Sequence, residues 1–291
     1  MDVYQIITDK IINLLESGVI PWWRPWNSTG LPRNLVSKKP YKGINYFLLS
    51  ATKFVSPFWL TMRQANQLGG HVRKGEVSTM IVYWRIDPMP EDSNEDHDDY
   101  TQAENKSRTR ILLRYYHVWN LEQCELPESE MAKLPKIETY QHNPIEAAER
   151  IIANMPNPPE IHHGGSKAFY LPSTDRITLP PREMFTSAEE YYATALHELL
   201  HSSGNRKRLA REGICEIAPF GSPLYSLEEM ISEMGAAYLC AHAGISPAVL
   251  QNQAAYVQGW LTKIRGDRKF IIRAAVQAQK AADYILNVRP N

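Results

Sequence analysis

The segment from Ser187 to Gly204 constrains this chain most, because it specifies one helix and fixes which side chains share a face. Ser187-Ala-Glu-Glu190 is a capping-box pattern, which predicts a helix that begins at residue 188. Gly204 is placed to end that helix. His197 and His201 are four residues apart, about 40° around the helix axis, so both rings project from one face. Two imidazoles in this arrangement can coordinate one Zn²⁺ ion.

Glu198 directly follows the first histidine of this LHELLHSSG stretch. At that position its carboxylate can reach a water molecule on the metal without itself binding the metal. We therefore predict Glu198 as a general base. The alternative is a buried structural helix that happens to carry two histidines.

A third ligand is offered by SLEEMISEMGAAYLC, a second predicted helix at about 227–243. Glu229 is the predicted ligand, and Glu233, one turn later on the same face, is predicted to hydrogen-bond a ligating histidine. One alternative is that Ser226 and Glu229 form a capping box, so that Glu229 only caps its helix. Another is that Glu228 is the ligand.

The first half of the chain has a different chemistry. Residues 1–90 hold 11 Lys or Arg against 5 Asp or Glu, and six of the seven tryptophans lie before residue 120. The stretch PWWRPW interleaves indoles with a guanidinium, and lysines and arginines follow it. Indoles beside basic side chains suit stacking on unpaired bases while phosphates are neutralised. The alternative is that these tryptophans form a small domain's core.

Patterning along the chain predicts two domains, at 1–135 and 141–291, joined by a proline-containing segment of mixed charge. EVSTMIVYWRI and RILLRYYHVW are predicted hairpin partners around an acidic mobile loop, and a short helix is predicted from Thr61 to Leu68. No apolar run approaches the roughly 18 residues that span a bilayer. Three scattered cysteines and the lack of a secretion signal indicate the cytoplasm.

Weaker candidates surround the predicted metal site. The pair His162-His163 could supply a ligand or an oxyanion donor, and Tyr170 or Tyr225 could also donate to an oxyanion. Plain loop or packing roles are the alternatives for each. The strand RITLP could form a sheet edge that pairs with an extended peptide.

The whole chain resembles the ArdC family of antirestriction proteins. The matching stretches include DVYQIIT, PWWRPW, YKGINYFLL, FWLTMRQANQLGGHVRKGE, YLPSTDRITLPP, HELLHSSG and EEMISEMGAAYLC. The N-terminal module is similar to the one that precedes the primase in TraC-type plasmid proteins, which implies single-stranded DNA binding. The second half is similar to SprT-like zincin metallopeptidases. This implies metal roles for His197, His201 and Glu229, with Glu198 as the base.

The resemblance implies an α+β fold. A small α/β nucleic-acid-binding domain is followed by a mostly helical, zincin-like metallopeptidase domain with a small β-sheet. The expected cofactor is Zn²⁺, with Mn²⁺ as the alternative. The residues predicted to contact DNA are Trp22, Trp23, Arg24, Trp26, Lys38, Lys39, Lys42, Asn45, Arg73 and Lys74.

Three functions follow as hypotheses. The first is an antirestriction protein that binds single-stranded DNA entering a recipient cell and whose peptidase-like site cuts a nearby protein, such as a restriction component. The second is a DNA-binding shield whose metal site is structural, since closed structural sites use the same ligands. The third is a general cytoplasmic metallopeptidase with a protein-binding N-terminal domain.

Overall fold

Helices dominate the architecture of the protein. The structure is a computed structural model, and it describes residues 2–17, 20–21, 31–88, 109–134, 144–216, 218–219, 222–245 and 253–288. The α-helices are α1 (Val3–Glu16), α2 (Ile44–Ser50), α3 (Met62–Gln67), α4 (Glu128–Met131), α5 (Pro144–Asn154), α6 (Ala188–Ser203), α7 (Glu212–Cys215), α8 (Pro223–Ala243), α9 (Gln253–Gly266) and α10 (Phe270–Ile285). The strands are β1 (Arg33–Asn34), β2 (Phe58–Leu60), β3 (His71–Val72), β4 (Thr79–Pro88), β5 (Thr109–Asn120), β6 (Cys124–Glu125), β7 (Glu160–His163), β8 (Phe169–Leu171) and β9 (Arg176–Leu179). This composition confirms the predicted α+β class.

A four-stranded sheet in the order β1-β2-β5-β4 organises the first half. Its long antiparallel pair runs from Thr79 opposite Val118 to Pro88 opposite Thr109, which confirms the predicted hairpin. The acidic loop predicted between these strands lies outside the described residues. At the outer edge of β4, the side-chain amide of Asn45 donates to the carbonyl of Val82 and accepts from its N–H, at 2.7 Å each. Asn45 thus satisfies backbone groups that the sheet edge leaves unpaired.

The helix predicted near residue 61 is α3, and a complete capping box starts it. The Thr61 hydroxyl accepts from the backbone N–H of Gln64, whose side chain in turn accepts from the Thr61 N–H. The two orphan donors are therefore satisfied reciprocally, as the sequence pattern requires.

The sheet of the second half has the order β7-β9-β8, with β7 parallel and β8 antiparallel to β9. The strand RITLP, which contributes β9, is therefore the centre of its sheet, and the prediction that it forms an edge is wrong. Both of its sides are used by neighbouring strands. The antiparallel edge beside α6 is β8 instead, which the hairpin turn after Leu171 brings against β9.

Helix α8 begins four residues earlier than the sequence pattern predicts. Ser222 caps it by accepting from the Tyr225 N–H, and Pro223 occupies the first turn, where its missing N–H costs no hydrogen bond. The proposed capping box of Ser226 with Glu229 is therefore wrong. Ser226 lies one turn inside the helix and donates to the Ser222 carbonyl at 2.9 Å. Glu229 is consequently free of any capping role and projects from the helix body.

One large apolar cluster unites the two ends of the chain. Ile7 and Ile11 of α1 and Phe47 of α2 belong to the same buried cluster as Ile271 and Ala275 of α10.

Polar contacts reinforce this junction between the two halves. The Thr8 hydroxyl donates to the Arg268 carbonyl at 2.8 Å, and the Gly43 N–H donates to Gln279 Oε1 at 2.8 Å. The boundary predicted between 135 and 141 lies outside the described residues. Across the described residues, no helix has the length and apolarity needed to span a membrane.

Candidate metal centre

Helix α6 brings its two histidine rings together. Ser187 caps its start, with a hydroxyl that accepts from the Glu190 N–H, and Gly204 caps its end. The Nε2 atoms of His197 and His201 lie 3.2 Å apart. Two nitrogens bound to one tetrahedral ion at 2.0–2.1 Å are separated by roughly this distance. The i, i+4 spacing therefore produces the geometry expected from the sequence.

Glu229 of α8 completes the group from the opposite side. Its Oε2 lies 3.9 Å from His197 Nε2, and its Oε1 lies 3.6 Å from His201 Nε2. In the described part of the chain, His197, His201 and Glu229 form a group whose potential ligand atoms all lie within 4.8 Å of one another. Two nitrogens and one carboxylate oxygen from two packed helices thus face a common point.

The far sides of both rings face oxygen atoms. His201 Nδ1 lies 3.0 Å from the Ser232 hydroxyl and 3.4 Å from Glu228 Oε1. His197 Nδ1 lies 4.0 Å from Glu233 Oε1, which is an ion-pair separation and longer than a hydrogen bond. Oxygen acceptors on the Nδ1 side favour the tautomer that carries its proton there, and this leaves the Nε2 lone pairs for a metal. The donor set therefore fits a divalent ion.

Glu228 has a role that the sequence did not reveal. Both of its carboxylate oxygens accept from Arg211, from Nε at 2.9 Å and from Nη2 at 2.5 Å, and Oε1 also faces His201 Nδ1. Arg211 extends the network by donating to the Ser203 hydroxyl and to the Leu200 carbonyl, at 2.7 Å each. Glu228 therefore contacts His201 at Nδ1, on the opposite side of the ring from the Nε2 atom that faces His197 and Glu229.

The electrostatics of the two rings differ. Burial, together with the charge of His201, lowers the pKa of His197 to about 3. Burial also disfavours the charged form of His201, yet its hydrogen bond to Glu228 and the charge of Glu229 raise its pKa above the ordinary value. Burial opposes ionisation of Glu228, but hydrogen bonds with Arg211 and His201 hold its pKa low. The surroundings therefore keep the His197 ring neutral and favour the charged form of His201.

Glu198 lies buried beside this group, between the two histidines in sequence. Burial raises its pKa, and the charge of Glu229 adds to the effect, against the opposing influences of His201 and of a backbone hydrogen bond from Tyr170. A carboxylate with a raised pKa is better matched to proton transfer near neutral pH. Burial and Glu229 likewise raise the pKa of Glu233, to about 7.

The weaker candidates around the site have structural partners. The Tyr170 hydroxyl donates to Asp175 at 2.9 Å and accepts from the Asn205 amide at 2.7 Å, so packing is the better account of this residue. His163 Nε2 lies 2.8 Å from the Tyr191 hydroxyl, and His162 pairs with Glu160. Neither histidine belongs to the metal group described above.

The predicted DNA contacts are placed unevenly. Trp22, Trp23, Arg24 and Trp26 lie outside the described residues. Lys38, Lys39 and Lys74 are exposed. Lys42 forms an ion pair with Asp283 at 3.1 Å, and Arg73 donates to the Glu122 carbonyl and approaches Glu76. Trp59 is buried, and for this tryptophan the core alternative is right.

Two family models account for most of the chain. Residues 1–119 match the N-terminal domain of the anti-restriction factor ArdC, and residues 146–277 match a zincin-like metallopeptidase domain. A divalent metal is the cofactor that a zincin-like domain implies, as the sequence predicted.

Similar proteins cover both halves together. The chain is 34% identical to the uncharacterized protein y4eC of Sinorhizobium fredii, over 98% of this chain and 91% of that protein. It is 35% identical to a DNA primase TraC of Escherichia coli, over 97% of this chain but only 20% of the primase.

Solved structures agree with these relatives. The metal-free antirestriction protein ArdC from plasmid R388 matches with a TM-score of 0.75 and 33% identity, over 98% of this chain and 97% of that chain. Its Mn(II)-bound structure matches with a TM-score of 0.74 and 33% identity, over 99% and 98%. The chain therefore belongs to the ArdC family of antirestriction proteins.

Proposed function

We propose that this protein binds single-stranded DNA entering a recipient cell and carries a metal-dependent, peptidase-like site in its second half. The observation that supports the catalytic part best is the meeting of His197, His201 and Glu229 with Glu198 buried beside them. A histidine pair and one carboxylate, with a second carboxylate close by, is the residue set of a metal-assisted hydrolase.

His197, His201 and Glu229 are the residues that would hold the ion. Three protein ligands leave one position of a tetrahedral site open, whereas structural zinc sites have four protein ligands. A divalent ion bound there would supply Lewis acidity toward a peptide carbonyl and make an attacking water more acidic. Imidazole and carboxylate donors suit Zn²⁺, and the Mn(II)-bound relative makes Mn²⁺ the other ion to be tested.

Glu198 would move the proton in this reaction. Its carboxylate would accept a proton from the attacking water and deliver it to the leaving amine, which a raised pKa favours. Glu228 and Ser232 would keep the His201 ring oriented. The substrate would be a protein close to the incoming DNA, such as a component of a restriction system. The proposed compartment is the cytoplasm.

Similarity to known proteins and the charge of the first half support the DNA-binding part. The first half matches the ArdC N-terminal domain, and the chain resembles part of proteins that are DNA primases. Residues 1–90 carry 11 basic against 5 acidic side chains, and among them Lys38, Lys39 and Lys74 are exposed. Exposed lysines neutralise phosphates, and the tryptophans at 22, 23 and 26 would stack on bases.

A second candidate function is a DNA-binding shield whose metal is structural. The observation that favours it is the location of the proposed ligands, which join α6 to α8 beside the largest apolar cluster among the described residues. An ion that links two core helices stabilises the fold whether or not it takes part in catalysis.

One experiment separates the two functions. Transfer of unmodified plasmid DNA into restricting and non-restricting recipients measures protection by wild type, by Glu198→Ala and by a control, Glu189→Ala on the same helix. We expect Glu198→Ala to retain the metal and lose protection, while the control protects fully. Undiminished protection by Glu198→Ala would contradict the catalytic account and favour a DNA-binding shield with a structural metal.

A further inference from the structure

We infer that one face of the β4–β5 hairpin is a stacking platform for unpaired DNA bases, formed by Tyr83 and Tyr116, with Arg114 next to Tyr83 on the same face. This inference rests on the DNA-binding part of the proposed function and names a contact surface for it. It concerns residues that the sequence patterns did not single out as DNA contacts.

Strand register defines the platform. Tyr83 is paired with Arg114, and Ile81 is paired with Tyr116. Paired residues point to the same face and successive residues alternate, so these four side chains share one face of the hairpin. Tyr83 and Tyr116 are diagonal neighbours with ring centroids 6.2 Å apart and planes inclined by 74°.

The base of this face is covered and its outer part is open. Val118, next on the same face, is buried with Trp59 and Leu49, and Ile81 packs against them. Further out, Tyr83 is 57% exposed and Tyr116 is 48% exposed. Large exposed apolar patches on soluble proteins usually mark interaction sites. An edge-to-face pair leaves ring surface available to a further flat partner.

Charge identifies the partner. Arg114 is exposed and is paired across the strands with Tyr83, so a positive charge lies on the same face as the two rings. Flat aromatic rings with a guanidinium beside them suit a ligand that has both planar bases and phosphates. In a duplex the base faces are already stacked, so the platform fits a single strand. An acidic peptide would satisfy Arg114 but would leave the rings without stacking partners.

Tyr115 provides a matched control. It is 47% exposed, close to the value for Tyr116, but it is paired with Val82 and so lies on the opposite face of the hairpin. There its ring meets that of His117 at a centroid distance of 5.7 Å. Removing this ring changes the same residue type at the same depth without touching the platform.

The test compares the full-length wild type with Tyr83→Ala/Tyr116→Ala, Tyr83→Phe/Tyr116→Phe and Tyr115→Ala. Fluorescence anisotropy measures binding to a labelled oligothymidylate, to an abasic oligomer of the same length and to a duplex. We expect the double alanine variant to bind oligothymidylate roughly 5- to 100-fold more weakly, since one stacked base is lost or more. The phenylalanine and Tyr115 variants should bind like wild type, and abasic and duplex binding should be unchanged by any variant. Unfolding midpoints check that each variant is folded.

The outcomes distinguish this inference from the proposed function. If wild type binds oligothymidylate and the double alanine variant binds it no more weakly than Tyr115→Ala does, the inferred platform is wrong, while the proposal of DNA binding stands. Equal weakening of the abasic oligomer would also overturn it, because the loss would then not involve bases. Failure of wild type to bind oligothymidylate would overturn both proposals.

Discussion

Arg211 and Glu228 form a bidentate ion pair in the interior of the protein, with the two side chains 6% and 5% exposed. The pair joins the loop after α6 to the first half of α8. Glu228, which Arg211 holds in place, also contacts His201 Nδ1 and so helps to fix the orientation of that ring. The orientation of a proposed ligand on one helix therefore depends on a charge pair between two other segments.

Replacement of Arg211 by Met should destabilise the protein and weaken metal binding. Removing one partner leaves Glu228 buried without its cation, which costs about 3–5 kcal/mol of unfolding free energy. Loss of support behind a ligand lowers metal affinity about 10- to 100-fold. Urea unfolding of the metal-free protein and titration with Zn²⁺ measure the two effects separately.

The double variant Arg211→Met/Glu228→Leu provides the control. Replacing both charges by apolar groups removes the unpaired carboxylate, so stability should recover relative to the single variant. Metal affinity should stay low, because the double variant removes the Glu228 carboxylate that faces His201 Nδ1. If the single variant matched wild type in both measurements, the network would have no positioning role.

Replacement of Gly235 by Ala should disturb the packing of α6 on α8. A methyl group there would meet Leu200 Cγ at 2.8 Å, too close for a normal contact. Overpacking of this kind costs about 1–3 kcal/mol, and it would push the histidines on α6 away from Glu229. Reduced thermal stability and reduced Zn²⁺ affinity are the expected results.

Gly259→Ala is the matched helical control for this substitution. Gly259 also lies in a helix, α9, but has no atom within 4 Å of the position its methyl group would take. Alanine is the better helix former, so this variant should gain up to about 1 kcal/mol. A similar loss of stability in both variants would show that contact with Leu200 is not the cause.

Single-stranded DNA affinity should fall steeply with added salt. Each phosphate contact contributes about 0.7 to the magnitude of the slope of log affinity against log salt. Lys38→Ala/Lys39→Ala removes two such contacts and should therefore reduce the magnitude of that slope by about 1.4. Lys42→Ala should flatten it less, because Asp283 already neutralises that charge. Anisotropy titrations at several salt concentrations measure the slopes. A flat dependence for wild type would favour a protein-binding first half.

Glu149 should stabilise the fold in a pH-dependent way. A hydrogen bond from Tyr192, with further contributions from Arg182, lowers the pKa of Glu149 below its ordinary value of 4.5, although burial opposes the shift. Its contribution is therefore present above about pH 4.5 and disappears as the pH falls through the lower folded pKa. Glu149→Gln should reduce the free energy of unfolding near neutral pH and have little effect in strong acid.

Urea unfolding across this pH range measures that difference. Glu146→Gln, which changes an exposed glutamate on the same helix, is the control for the substitution itself. A Glu149→Gln deficit that stayed constant down to strong acid would point to lost packing and not to a titrating carboxylate.

Local sequence patterns predicted the elements whose signals are local. Ser187 and Gly204 mark the two ends of α6. The four-residue spacing of its histidines directs both rings to one side of the helix. The role of Glu228 could not be predicted, because its partner Arg211 is 17 residues away on another segment. The central position of β9 depends on strand order in the folded sheet, which no local pattern specifies.

The proximity of Tyr83 to Tyr116 on the hairpin also could not be predicted from local sequence. That β4 and β5 are strands follows from their β-rich sequences, but the proximity of Tyr83 to Tyr116 depends on strand register. A shift of one residue would send the two rings to opposite faces. Only the paired structure shows that they share an exposed surface.

The most direct test of the account is calorimetric titration of the metal-free protein with Zn²⁺ and with Mn²⁺. Wild type and Glu198→Gln should each bind one ion with similar affinity, whereas Glu229→Gln and His201→Ala should bind at least about tenfold more weakly. That result would make Glu229 a ligand and leave Glu198 for chemistry. Wild-type affinity in Glu229→Gln, or loss of the ion in Glu198→Gln, would contradict the account.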